Sequence, residues 1–326
     1  MEIKFTNPDK DLFFSMKNRL KAVRFDGIAA GLQYFCEDIS KQWVKNCIQE
    51  TGLSSVVISG GVAMNIKINK VIMELPEVEE IFVGPSGGDE SLSAGAAYAL
   101  WHDLYPQIPL KPLENTYLGP AYGKQESEKA ISEMFSDGFN IVEDPPDGQV
   151  ARMLARGRVI ARAVGRMEYG ARSLGNRSIL ANASDYRTIR KINDQIKRRD
   201  FWMPFAPIIL AERMKDYVVN PKNILSPFMT MGFDSTELAK QHLRAGLHPA
   251  DDSMRPQILQ QSDNPRLHAL LLAYEKETGM GGLLNTSLNL HGEPICCTPQ
   301  DSMKTFLNSG LDGLLLEGFL ITRNEI

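Results

Sequence analysis

The sequence predicts an α/β protein built as two domains, and three observations carry that prediction. The chain has 326 residues, long for one hydrophobic core and comfortable for two joined by a linker. A strand, a glycine turn and a helix recur twice within the first hundred residues, the pattern of a parallel or mixed sheet flanked by helices. Pro106, Pro109 and Pro112 then mark a linker, past which the rhythm of elements changes.

Helical periodicity runs from Asp11 to Arg24, with Leu12, Phe13, Met16 and Leu20 on one face, and from Gly27 to Thr51, with Ile39, Trp43 and Ile48 inward. The β-branched run Ser54 to Ser59 stops at Gly60-Gly61, before a helical pattern from Val62 to Leu75. Glu80 to Val83 is a second strand, ended by Gly84-Pro85-Ser86-Gly87-Gly88, and Asp89 leads a small-residue helix from Leu92 to Trp101. A second domain begins near Lys111. Its pattern is helix Gln125 to Phe135, strand Phe139 to Val142, a Pro145-Pro146 turn, helix Val150 to Arg156 and strand Val159 to Val164. A basic helix from Tyr186 to Arg199, an apolar strand Pro204 to Leu210 and a polar, irregular region Asp234 to Gln261 follow. Helix Arg266 to Thr278, strand Gly282 to Leu284 and a final helix-strand pair within Pro299 to Thr322 close the chain.

A formal net charge of −4 and a pI near 5.8 do not favour a general nucleic-acid binder, so partners are expected among small molecules. Cys36, Cys47, Cys296 and Cys297 form no CxxC pair, which suits reduced thiols and argues against structural zinc. Met1 to Lys10 is polar, unlike a signal peptide, and the apolar runs around Leu314 to Ile321 are too short to span a bilayer. The expectation is a soluble, cytoplasmic protein with no membrane partner.

Chemistry concentrates after Val164. Gly165 to Arg177 holds three glycines, three arginines (Arg166, Arg172, Arg177) and one acid, Glu168. Glycines let backbone approach a ligand and guanidinium groups grip phosphate or carboxylate oxygens in pairs, so the stretch suggests an anion pocket. A turn followed by an exposed basic strand is the alternative. Ser59-Gly60-Gly61-Val62-Ala63-Met64-Asn65 sits where a strand meets a helix N-terminus, a geometry that offers backbone N–H groups to a nucleotide, or simply a tight turn. Asp89 is an N-cap or a metal ligand. Lys197, Arg199, Arg255, Ser287 and Asn289 add cations and hydroxyl or amide groups. If they converge with Arg166, Arg172 and Arg177, the pocket could hold a triphosphate and a second small anion.

Longer motifs narrow these alternatives. Gly165-Arg-Met-Glu-Tyr-Gly-Ala-Arg-Ser-Leu-Gly-Asn-Arg-Ser-Ile-Leu180, Phe205-Ala-Pro207 and Asn285-Thr-Ser-Leu-Asn-Leu-His-Gly-Glu-Pro294 resemble the C-terminal domain of NodU/CmcH-type carbamoyltransferases. Ser59 to Asn65 and Gly88 to Ala97 resemble their first domain. The resemblance implies the C-terminal half of an actin-like, TsaD-like ATPase-fold domain over 1–105, a linker over 106–123, and a YrdC-like α/β domain counted from 111 to 326. It implies carbamoyl adenylate made from carbamoyl phosphate and ATP, with the carbamoyl group then passed to a hydroxyl of a small-molecule acceptor. By carry-over, Lys197, Arg199, Arg255, Ser287 and Asn289 bind carbamoyl phosphate and ATP, the first three as the catalytic residues, and Arg166, Arg172 and Arg177 of the anion pocket are expected to help hold the nucleotide. Gly60, Gly61 and Asn65 hold nucleotide in the first domain, and Asp89 is one metal ligand. Mg2+ would accompany ATP, and Fe2+ or another divalent ion the first-domain site. A tRNA threonylcarbamoylation enzyme and a non-catalytic nucleotide-binding partner subunit are the rival readings.

The family's first domain also has an N-terminal half with a His-x-x-x-His metal motif, which has no counterpart here. None of His102, His242, His248, His268 and His291 pairs at i and i+4. The expectation is weak metal binding, and carbamoyl transfer that needs a partner chain bearing the complementary half, or self-association.

Overall fold

The computed structural model describes residues 12–134, 138–197 and 203–324. After α1 (Leu12–Arg19) and α2 (Phe25–Thr51), strands β1 (Ser55–Ile58) and β2 (Glu80–Val83) pair in parallel. Between them lie a 3-10 turn, Gly61–Met64, and α3 (Ile66–Met73), which buries Ile68, Ile72 and Met73 beneath the small sheet. The opposite face of that sheet is open: the paired Val57 and Phe82 are 74% and 53% exposed. Neither α2 nor α4 (Ser91–Leu104) has a buried residue.

The second half is built on an eight-stranded mixed sheet. In chain order come α5 (Lys124–Met134), β3 (Phe139–Glu143), α6 (Asp147–Ala155), β4 (Ile160–Ala163), β5 (Arg177–Ala181), α7 (Arg187–Ile192) and β6 (Ala206–Leu210). Then α8 (Met214–Tyr217), β7 (Val218–Val219), β8 (Asp234–Ser235), α9 (Glu237–His242) and β9 (Gln257–Leu259) form an excursion. The chain closes with α10 (Pro265–Thr278), β10 (Gly282–Ser287), α11 (Pro299–Leu307), β11 (Gly313–Leu316) and β12 (Phe319–Arg323). The sheet order is β3-β12-β11-β4-β5-β10-β6-β9, with β11-β4 and β6-β9 parallel and the other pairs antiparallel. β5 and β6 are buried at every position, as central strands covered on both faces must be. Alternation sorts their side chains: Leu180 and Ile208 join the cluster under α6 and α10, while Ile179 and Ile209 join the one under α5 and α11.

The α/β expectation holds, with differences in detail. The basic helix is α7 plus a π turn, Asn193–Lys197. The region expected to be irregular contains α9 and β9, and the final helix-strand pair is a helix followed by a hairpin turning at Glu317-Gly318. Among the described residues, the first half does not keep a core to itself. Ile68, Ile72, Val78 and Val83 share one cluster with Met231, Phe233 and Met254, because the excursion after β6 folds back over α3.

Polar clasps fix that contact. Lys222 Nζ donates to the carbonyls of Met73, Leu75 and Val78, closing the C-terminal end of α3, and Asn69 Nδ2 donates to Thr230 O at 2.8 Å. Lys67 pairs with Asp251, which also accepts from the N–H and hydroxyl of Ser253. Burial raises the Asp251 carboxyl, but these hydrogen bonds outweigh it and hold it at about 2. A carboxyl depressed in the folded state contributes stability above its unfolded pKa of ~3.9, which is lost as pH falls toward the folded value. With Lys67 32% and Asp251 41% exposed, solvent screening limits the effect. Asp251→Asn is therefore expected to cost at most about 1 kcal/mol near neutral pH. The difference in urea midpoint from wild type should shrink between roughly pH 4 and pH 2.

Candidate functional site

β4 leaves the sheet at Val164 and the chain returns antiparallel as β5 at Arg177, so the glycine- and arginine-rich segment is a loop over one sheet end. Gly165, Gly170 and Gly175 take φ of +71°, +108° and +105°, conformations that side chains resist. Gly175 also lies so close to Leu267 that a Cβ would overlap its side chain. Gly175→Ala is expected to cost about 2–4 kcal/mol, from backbone strain plus overpacking. A denaturation midpoint equal to wild type would contradict this loop geometry.

The loop satisfies itself from within. Glu168, 7% exposed, accepts three backbone N–H groups on one oxygen: Leu174 at 2.7 Å, Asn176 at 3.0 Å and Arg177 at 3.1 Å. Its Oε2 is buried and has no hydrogen-bond partner among the described residues. Asn176 donates to Arg166 O and accepts from Arg162 Nη1 at 2.6 Å and Asn264 Nδ2 at 2.8 Å. Arg162 reaches up from β4, also donates to Gly175 O at 2.7 Å, and is pushed down to about 10, first by burial and then by nearby Arg266. Arg166 donates to the carbonyls of Tyr117 and Leu118. Arg177 is buried and donates to the carbonyls of Gly165, Asn176 and Cys297, and burial lowers its pKa. The bulk of this charge thus shapes the loop, and the internal carboxylate of Glu168 takes backbone N–H groups that an anion would otherwise meet.

The second cluster sits at the end of β10. Lys197 Nζ, at the end of the π turn, is within hydrogen-bond distance of four oxygens: Ser287 O (2.5 Å), Ser287 Oγ (3.1 Å), Asn289 O (3.0 Å) and Asn289 Oδ1 (2.5 Å). Lys197 is 1% exposed, and Ser287 Oγ donates to Asn289 Oδ1 at 2.6 Å. Ser287 stands opposite Ser178 in the ladder, and Leu288 N donates to Arg177 O at 2.9 Å. Lys197, Ser287 and Asn289 are therefore neighbours, and the backbone of Arg177 lies beside them, while its guanidinium is turned to carbonyls of the loop. Arg166 is directed at the 117–118 segment instead. Arg172 is half-buried within the loop, and Arg255 is half-buried just before edge strand β9. Arg199 lies outside the described residues.

In the first half, Gly60 needs its glycine, with φ +99°, and Gly61 is exposed with open space where a Cβ would stand. The two glycine turns touch: a Cβ on Gly87 would lie 2.6 Å from Gly60 O. Asn65 caps α3 by accepting from Lys67 N and Ile68 N, and its amide exchanges hydrogen bonds with Gln33. Asp89 is exposed, and no group of three or more His, Cys, Asp or Glu residues able to hold a metal occurs among the described residues. The second glycine turn meets the arginine loop. Tyr169 Oη donates to Glu90 O at 2.5 Å, and a Cβ on Gly170 would lie 3.0 Å from Pro85 O.

Sequence reasoning missed Arg162, Asn176, Asn264 and the organising role of Glu168. The one available signal was charge in the wrong place: an arginine inside an apolar strand, and a single acid in a run of arginines, each require an internal partner.

Two family models match the chain, the carbamoyltransferase N-terminus over residues 2–98 and the carbamoyltransferase C-terminus over residues 151–323. An uncharacterized protein of Methanocaldococcus jannaschii is 34% identical over 303 residues, 91% of this chain and 49% of that protein. Nodulation protein NolO of Bradyrhizobium diazoefficiens is 31% identical over 298 residues, 91% of this chain and 54% of its own length. Nodulation protein U of Sinorhizobium fredii is 29% identical over 286 residues, 86% of this chain and 48% of that one. The chain spans about half the length of the curated relatives it matches. The solved structure of E. coli YciO overlays 54% of this chain and 81% of its own at 18% identity with a TM-score of 0.38, too loose a likeness to carry an argument. No helix among the described residues is long and apolar enough to cross a membrane. On the two family models, which together take in most of its length, the chain belongs to the carbamoyltransferase family.

Proposed function

We propose that this chain provides the carbamoyl-adenylating part of an ATP-dependent carbamoyltransferase. The observation that best supports the reading is the buried Lys197 ammonium held against Ser287 and Asn289 beside the backbone of Arg177. An ammonium already desolvated among hydroxyl and amide oxygens suits phosphate oxygens, which would replace part of its present ring of acceptors when ATP binds. In the proposed reaction, carbamoyl phosphate passes its phosphoryl group to water, the P–O bond to the carbamoyl group breaks, and inorganic phosphate and carbamate result. A carbamate oxygen attacks the α-phosphorus of ATP, pyrophosphate departs, and carbamoyl adenylate forms. An acceptor hydroxyl then attacks the carbamoyl carbon, loses its proton, and releases AMP.

Mg2+ would arrive with ATP. Among the described residues, Asp89 has no ligating company and does not suffice to hold a separate Fe2+ or similar ion. The open apolar face of β1-β2 and the unburied α4 support a partner chain, or a second copy, over the first half. Quenching the protein with ATP and 13C-labelled carbamoyl phosphate tests the reading by mass spectrometry. Labelled carbamoyl adenylate is expected; bound ATP with no adenylate would favour a non-catalytic nucleotide-binding subunit.

A further inference from the structure

Behind the arginine loop lies a cavity of about 190 Å³ that the proposed reaction does not use. It opens between the first turns of α6 and α10, and its polar walls are Asp147, Arg162, Arg266 and Asp144. Its volume is below the ~300–1,000 Å³ of sites for drug-sized ligands, so it takes something much smaller than a nucleotide. Two of the charges are already matched: Asp144 by Lys124, and Arg266 by Glu317. Two are not. Arg162, 2% exposed, uses only Nη1 for hydrogen bonds among the described residues. Asp147, which is exposed to solvent on one side, has no hydrogen-bond or ion-pair partner among them.

We infer that this cavity binds a small α-amino acid. The carboxylate would meet the free side of the Arg162 guanidinium at the positive ends of two helices, and the ammonium would meet Asp147. A short side chain would lie on Val150, Leu270 and Leu315, which also line the cavity. A bare anion would face Asp147 and a bare cation would face Arg162, so a zwitterion is the ligand whose two charges both find partners. Partial desolvation against the cavity wall raises the Asp147 carboxyl from its ordinary value, against the pull of Arg162 and Arg266.

Occupancy would be felt at the loop. Arg162 holds Gly175 O and Asn176 at one end, and Glu317, the partner of Arg266, accepts from Gly165 N at 2.9 Å at the other. Both ends of the arginine loop are thus tied to residues in or beside the cavity wall, which makes the cavity a regulatory site for the loop.

Calorimetry on the whole chain with glycine, L-alanine and L-serine, against acetate, methylammonium and inorganic phosphate, tests the inference. The amino acids are expected to bind at least tenfold more tightly than any control. Asp147→Asn should weaken them at least tenfold with its melting temperature unchanged, and glycine should slow hydrogen exchange at Gly175 and Asn176 in wild type. Absence of amino-acid binding by folded wild type overturns the site. Phosphate or acetate binding that strengthens in Asp147→Asn overturns it too, by making it an oxyanion site. Unaltered exchange at Gly175 and Asn176 overturns the coupling to the loop.

Discussion

Lys197→Met should raise the dissociation constant for ATP about 10- to 100-fold. Hydrogen bonds to charged groups are worth about 1.5–3 kcal/mol, and each ~1.4 kcal/mol is a factor of ten in affinity. Methionine keeps the length and apolar stem of lysine, so packing around the π turn survives while the charge is lost. The four oxygens around Nζ then lose their shared donor, and the turn over Ser287 and Asn289 should loosen. Arginine is not a conservative rescue, because a planar guanidinium does not fit a compact ring of oxygens built around an ammonium. Calorimetric titration of ATP into wild type and variant checks this, and equal affinities would remove Lys197 from the pocket.

Glu168→Ala should be the most damaging single change to stability, at about 3–5 kcal/mol. Its carboxylate is the shared acceptor for three buried N–H groups. Alanine would orphan them, each unsatisfied group costing about 1–3 kcal/mol before water repairs part of the loss. The buried Arg177 would lose a neighbouring counter-charge as well. Glu168→Gln keeps one oxygen for the three donors and should cost about 1–2 kcal/mol. Urea denaturation, with hydrogen exchange at Leu174, Asn176 and Arg177, reads both. Wild-type protection in Glu168→Ala would mean that the loop is held by something else.

The contrast between Glu168 and Lys197 shows what the sequence made legible. Strands ended by glycine were plain at Ser55 to Ile58 and Glu80 to Val83, because β-branching and turn chemistry are local signals. β9, three residues long, was hidden in a polar stretch because its identity comes from pairing with β6, a tertiary fact. The site divides in the same way. Lys197, Ser287 and Asn289 could be named from residue type and motif, and the fold brings them together. Which arginines face a ligand could not be named, since a guanidinium satisfied by backbone carbonyls, as in Arg166 and Arg177, has the same letter as one waiting for phosphate. The merging of the cores was equally out of reach: nothing local in Met231 or Phe233 says that they pack on α3.

The central claim is that the Lys197, Ser287 and Asn289 cluster serves ATP-dependent activation of a carbamoyl group. Exchange of labelled pyrophosphate into ATP, with and without carbamoyl phosphate, tests it most directly, since the reverse of adenylation is the step that places the label in ATP. Exchange that requires carbamoyl phosphate in wild type and falls at least tenfold in Lys197→Met is the predicted result. Undetectable exchange by folded wild-type protein that binds ATP, or equal exchange in Lys197→Met, would contradict it.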